Sequence, residues 1–189
     1  MIEELIRRNR SCRRFHQDQP VSRDTLRWLV NLARLSASAA NLQPLKYVLS
    51  SDPEQNAPIF SCLAWAGYLK DWSGPAEGER PAAYIVILGD REITTNVGCD
   101  HGIAAQSILL GAREQGLGGC MVGSIKKGQL RQLLDLPERY DILLVIALGR
   151  PKEEVVLTDV GSDGSIKYWR DEAGTHYVPK RRLEDIIII

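Results

Sequence analysis

The chain has 189 residues, of which 44% are apolar, with 24 basic and 24 acidic side chains and a formal net charge of +0. That length and composition fit one domain, 1–189, with enough apolar material for a sizeable core. The charge balance leaves no footprint for nucleic acid or an anionic membrane, so any basic site must be a local cluster.

In chain order, Ile2, Leu5 and Ile6 predict a short amphipathic helix over 2–8. Ser22 is placed to cap a second helix, with Leu26, Leu29, Val30 and Ala33 on one face. Residues 46–50 read as a strand. Asp52-Pro53 opens a third helix, with Pro at the first helical position, running to about Lys70. A polar loop with Gly and Pro follows at 73–81, then a continuous apolar strand at 82–88. Apolar and small residues nearly encircle a longer helix at about 97–115. It should be buried on most sides, with a second subunit as a natural cover.

Residues 119–122 read as a short strand, and Leu130, Leu133 and Leu134 mark a helix. Residues 141–148 are apolar throughout, which suits the sheet centre. Residues 159–178 read as polar and irregular. The β-branched run Ile186 to Ile189 favours a strand. An apolar edge must pair, either with the chain's own sheet or with that of a second subunit. Strand addition to a partner is the expectation for 183–189. The pattern as a whole is α+β.

The N-terminus has no signal-peptide core, and no apolar run approaches the ~20 residues that span a bilayer, so a reducing cytoplasm is expected. Cys12, Cys62, Cys99 and Cys120 have neither metal-knuckle nor redox-pair spacing. They read as free thiols and no metal site is expected.

Three segments have chemistry to offer. Arg10, Ser11, Arg13 and Arg14 near the start, and Lys180, Arg181 and Arg182 near the end, supply forks and a hydroxyl suited to phosphate oxygens. They could also be solvated charges at helix ends. Residues 36–44 hold small side chains with Asn41 and Gln43, which suits close approach to a flat heterocycle, or a plain helix-to-strand connection. Gly116 to Ser124 lacks dinucleotide-fingerprint spacing, and no P-loop occurs, but Gly123 and Ser124 could expose backbone N–H groups. There is no HExxH or GxSxG, and His16, His101 and His176 are scattered. If the chain is an enzyme, a cofactor should carry the chemistry.

Taken together, Arg10-Ser11-Cys12-Arg13-Arg14-Phe15, Ser38-Ala39-Ala40-Asn41-Leu42-Gln43-Pro44, the helix at 102–112 with Gly116-Leu117-Gly118 behind it, and Val178 to Arg182 resemble the ordered motifs of the nitroreductase family of FMN proteins. The resemblance covers most of 2–152 and the tail. It implies a nitroreductase-like α+β fold, a central mixed or antiparallel sheet flanked by helices, and an intertwined homodimer with FMN at the subunit interface. Arg10 and Ser11 would face the phosphate, and Arg13 the ribityl chain and the N1/C2 side of the ring. Lys180 and Arg182 would complete the phosphate site. Ser38, Ala39 and Asn41 would come from the other subunit to line the ring, and Gly123 and Ser124 would offer N–H groups near N5.

The implied activity is hydride transfer from NADH or NADPH through flavin N5 to an acceptor such as a nitroaromatic or quinone, by ping-pong exchange with no side chain as acid or base. The same fold could instead host reductive dehalogenation or flavin breakdown, or a flavin carrier or sensor without turnover. Ala37, Leu45, Ser124 and Asn9 depart from residues common in the family. Trp65, Tyr68 and Trp72, with the 73–81 loop, would form a lid over the flavin or else pack as ordinary helix residues; Trp169 is a further candidate.

Overall fold

The structure, a computed structural model, describes residues 1–188. An antiparallel ladder organises the chain in the order β4 (Gly118–Val122), β5 (Tyr140–Pro151), β3 (Ala83–Asp90) and β2 (Leu45–Ser50). Short β1 (Phe15–His16) joins the far end of β5, with Phe15 opposite Pro151.

Helices cover both faces, which explains why β3 reads as an unbroken apolar run. Its side chains alternate between two cores. Ala83, Ile85 and Ile87 pack with α2 (Arg23–Arg34) and α4 (Asp100–Glu114). Tyr84, Val86 and Leu88 pack with Ile59 of α3 (Pro53–Ser61) and Leu130 of α5 (Lys127–Leu133). Each such aliphatic side chain, fully buried, contributes ~1.5–3 kcal/mol. Gly111 lets α4 lie close against α2, since a Cβ there would stand 2.3 Å from Leu32 Cδ1. Helix α1 (Ile2–Arg8) buries none of its side chains and carries the pair Glu3–Arg7 at 2.9 Å.

The expected caps are present. Ser22 accepts from the Thr25 N–H at 3.0 Å, and Asp52 caps α3 with Pro53 behind it. Cys12, Cys62 and Cys120 are buried, Cys99 is exposed, and all four are free.

Three expectations are corrected. Helix α3 ends at Ser61, not near Lys70. Beyond it the chain pairs with the segment after β4: Ala64 N–H donates to Ser124 O at 3.0 Å, and Lys126 N–H to Cys62 O at 2.8 Å. Extended pairing outcompetes further helix there. The long helix begins at Asp100, three residues later than expected. The stretch read as irregular contributes to a second sheet, in which β6 (Val155–Asp159) runs parallel to β8 (His176–Lys180) and β7 (Trp169–Arg170) pairs antiparallel with β8. These strands are two to five residues long, and even Val155-Val156-Leu157 of β6 shows no alternation, so periodicity gave no signal for them.

At the C-terminus Leu183–Asp185 form a 3-10 turn, and residues 186–188 join no strand of the chain's own sheets. Leu183, Ile186, Ile187 and Ile188 are all exposed. The end of the expected 183–189 strand, Ile189, lies outside the described residues. Among the described residues no helix is long and apolar enough to cross a membrane.

Candidate functional site

The segment after α1 is pinned to the edge of β4. Ser11 bridges Gly119, and the Cys12 N–H donates to Gly119 O at 2.9 Å. Glycine at the neighbouring position eases this approach, since a Cβ on Gly118 would stand 3.1 Å from Cys12 Cβ. Cys12 and Phe15 point into the protein, while Arg10 and Arg13 are half-buried and Ser11 is exposed.

A carboxylate from after β5 holds this segment in place. The Glu153 side chain has no solvent exposure and accepts from the backbone N–H groups of Arg13 and of Arg14, the latter at 3.1 Å. Its other oxygen accepts from Arg170 Nη2 at 2.7 Å. Arg14 turns away to a two-pronged contact with Glu79, at 2.6 and 2.7 Å. The hydrogen bond from Arg14, assisted by one from Lys152, pulls the Glu79 carboxyl down to about 2.

Arg13 thereby reaches a cavity of about 240 Å3 that it lines with Trp65, Cys120, Gly123 and Ser124. Among the described residues it makes no ion pair. Its guanidinium sits 5.1 Å from the Tyr168 ring centroid, with Nη1 3.4 Å from His176 Nε2. His176 is fully buried, and that burial lowers its pKa to about 4. Burial pushes the Cys120 thiol up, against the pull of the Arg13 cation and the Ser11 hydroxyl, so this thiol stays protonated. Among the described residues, no turn or loop hydrogen bond uses the N–H of Gly123 or of Ser124. A Cβ on Gly123 would meet nothing within 4 Å, so the space above it is open.

Arg10 and Lys180, from opposite ends of the chain, line one hollow of about 680 Å3. The Arg10 Nε is buried without a partner, and burial lowers the pKa of this guanidinium. A second hollow shares Arg7 and Arg10 and adds Arg113, whose Nε is also buried and unpartnered. Arg182 stands apart, exposed and paired with Asp185 at 3.3 Å.

Ser38, Ala39 and Asn41 lie elsewhere. The Ser38 hydroxyl donates to Asp100 at 2.6 Å, and the Ala39 N–H to the other Asp100 oxygen at 3.0 Å. Ala40, Asn41 and Gln43 all have positive φ. This conformation costs an alanine or glutamine ~1–2 kcal/mol and Asn less. Asp100 begins α4, whereas Cys12 shares a hollow with Arg113 in its last turn. A helix of 15 residues is ~22 Å long, so one chain keeps the 38–43 loop and the Arg10 segment far apart.

Trp65 lines the Arg13 cavity. Tyr68 packs on Tyr168 at 5.0 Å and Trp72 lies under the Arg170 guanidinium at 4.3 Å, so these two meet the 168–170 segment, while Trp65 packs on Phe60 of α3 at 5.7 Å. Trp169 is exposed and stacks on Tyr177. Glu153, His176, Tyr168, Asp100 and Arg113 were not singled out from sequence. Each acts through a contact distant along the chain, for which no local pattern exists.

The chain matches the nitroreductase family over residues 6–70 and 69–150 and belongs to that family. It is 26% identical over 167 residues to the NADPH-flavin oxidoreductase of Vibrio harveyi, covering 79% of this chain and 65% of that protein. It is 26% identical over 180 residues to the 5,6-dimethylbenzimidazole synthase of Rhodospirillum rubrum, covering 81% and 83%. The solved FMN-dependent nitroreductase of Clostridium difficile R20291 superposes with a TM-score of 0.66 at 24% identity, over 82% of this chain and 89% of that one. The expected α+β nitroreductase fold is therefore the fold observed.

Proposed function

We propose that the chain is an NAD(P)H-dependent FMN oxidoreductase that works as a homodimer with FMN between the subunits. The observation that carries this reading is the convergence of Arg10 and Lys180 on one hollow, with the Arg10 Nε left unpartnered. A buried guanidinium atom without an acceptor suits a phosphate oxygen. The residues present fit the cofactor.

FMN bound there would supply the redox chemistry, hydride transfer between NADH or NADPH and a nitroaromatic or quinone acceptor. The chain's own residues bind and orient. Arg10 and Ser11, with Lys180, hold the phosphate; Arg182 joins them once its exposed side chain leaves Asp185. Arg13, which makes no ion pair among the described residues, would place a cation beside the N1/C2 edge, where reduction accumulates negative charge. The N–H groups of Gly123 and Ser124 would offer donors to the ring without a titratable side chain. Trp65 and its aromatic neighbours narrow the access of water.

Ser38, Ala39 and Asn41 reach the ring only from a second copy, because α4 separates them from Arg13 within one chain. The exposed Ile186, Ile187 and Ile188, beyond the 3-10 turn at Leu183–Asp185, would add as a strand to the partner, and Leu183 adds apolar surface. An absorbance spectrum of the purified protein tests the reading. Flavin bands bleached by NADH or NADPH, with turnover on menadione or nitrofurazone, support it; a colourless protein that takes up no added FMN overturns it.

The likeness to 5,6-dimethylbenzimidazole synthase favours a second reading on the same fold. That product's ring carries the two methyls of the flavin's benzenoid ring, so the flavin would itself be consumed. Product analysis of reduced FMN in air separates the two.

A further inference from the structure

A separate cavity of about 290 Å3 opens between α3, the start of β3 and the 17–20 loop, and shares no lining residue with the Arg13 cavity. Tyr84 is fully buried and lines it, and its hydroxyl has no hydrogen-bond partner. Arg80 lines it too. Its guanidinium lies 4.7 Å from the Phe60 ring centroid, its Nε is buried without a partner, and among the described residues it makes no ion pair. Phe60, Pro53 and Pro81 supply apolar wall, and Asp18 stands exposed among the lining residues.

Buried polar atoms are normally paired, so two donors left open at one cavity call for an acceptor. An arginine can only donate, and its planar fork matches a carboxylate. A single water occupies ~30 Å3, much less than the space available. The apolar wall asks for a flat hydrophobic body attached to that acceptor. We propose that this cavity binds a small aromatic carboxylate, with Tyr84 and Arg80 donating to the carboxylate and the ring resting against Phe60 and the prolines. Asp18 is solvated and only weakly opposes the anion. Phe60 also packs on Trp65 at 5.7 Å, so these two aromatic side chains separate the two cavities.

The test is titration of the flavin-loaded protein with benzoate, followed by calorimetry and by the flavin bands. Saturable binding near ~1 mM is expected, weakened about tenfold by Tyr84→Phe and by Arg80→Gln. Benzyl alcohol, the neutral analogue, should bind about tenfold more weakly to the parent. Tyr84→Phe removes one unpaired oxygen and should melt no lower than the parent, so loss of binding is not loss of fold. Benzoate also has access to the flavin cavity, where it would shift the flavin bands. Binding of that kind alone, unchanged in both variants, overturns the proposal, as does no saturable binding up to about 20 mM.

Discussion

Nε2 of His176 lies 3.4 Å from Nη1 of Arg13, within reach of a hydrogen bond from guanidinium to imidazole. Arginine has no acceptor, so the imidazole must be neutral at Nε2 and carry its proton on Nδ1. Nδ1 is itself buried without a partner. The ring is packed against Tyr168 at 5.2 Å, and Arg13 lies over the same Tyr168. A neutral histidine thus helps aim the cation that the proposed flavin site needs.

The pH dependence follows from burial. His176 titrates at about 4 in the folded chain and near 6.5 when unfolded. Between those values the unfolded chain takes up a proton that the folded chain refuses. Stability is therefore full above about pH 6.5 and declines as pH falls towards 4. Urea midpoints at pH 7, 5.5 and 4.5 should show the decline in the parent and a flatter profile in His176→Gln. Equal slopes in both proteins would mean that His176 is charged in the folded state.

Glu153→Gln tests the clamp under the N-terminal segment. The substitution removes the charge paired with Arg170 and turns an amide NH2 towards one of the two donor sets, the backbone N–H groups or Arg170 itself. Breaking a buried charge pair in this way costs ~3–5 kcal/mol. Chemical denaturation should show that loss, and FMN affinity should fall with it because Arg13 is no longer held. A variant as stable as the parent would show that the clamp contributes nothing.

How much of this was visible beforehand depends on the range of each contact. Ser22 with Leu26, Leu29 and Ala33, and the apolar strand read at 82–88 and observed at 83–90, were legible because cap chemistry and apolar runs are local. The helix after Asp52 was read too long because its end is set by pairing with residues 124–126, far along the chain. The second sheet was missed because its strands are two to five residues long, too short for an alternation to show. Arg10, Arg13 and Lys180 were found as types in a pattern; the fold then placed Arg10 and Lys180 at one hollow. Glu153 and His176 lie 140 and 163 residues from the Arg13 they serve, and neither stands in a motif.

Changing Arg10 and Arg13 together to Ala should release FMN. Neither side chain makes an ion pair among the described residues, so the fold loses little. Each charge-assisted hydrogen bond removed from the ligand is worth ~1.5–3 kcal/mol, which puts the combined loss at roughly 10²–10⁴-fold in affinity. Flavin fluorescence titration of the folded variant measures it. Parent-like affinity would place the phosphate away from the N-terminal segment.

Deleting residues 183–189 should weaken the dimer without unfolding the subunit. In the single chain Leu183, Ile186, Ile187 and Ile188 are exposed, at 61%, 59%, 52% and 99%. The two sheets are complete without them, since residues 186–188 belong to neither. Surface so apolar on an isolated chain calls for a cover, and full burial of one such side chain is worth ~1.5–3 kcal/mol. Loss of only part of that burial in each subunit raises the dimer dissociation constant by at least about 100-fold. Sedimentation at micromolar and nanomolar concentration, with circular dichroism as the check on folding, reads both quantities. A truncated chain as dimeric as the parent would assign those isoleucines to no subunit contact at all.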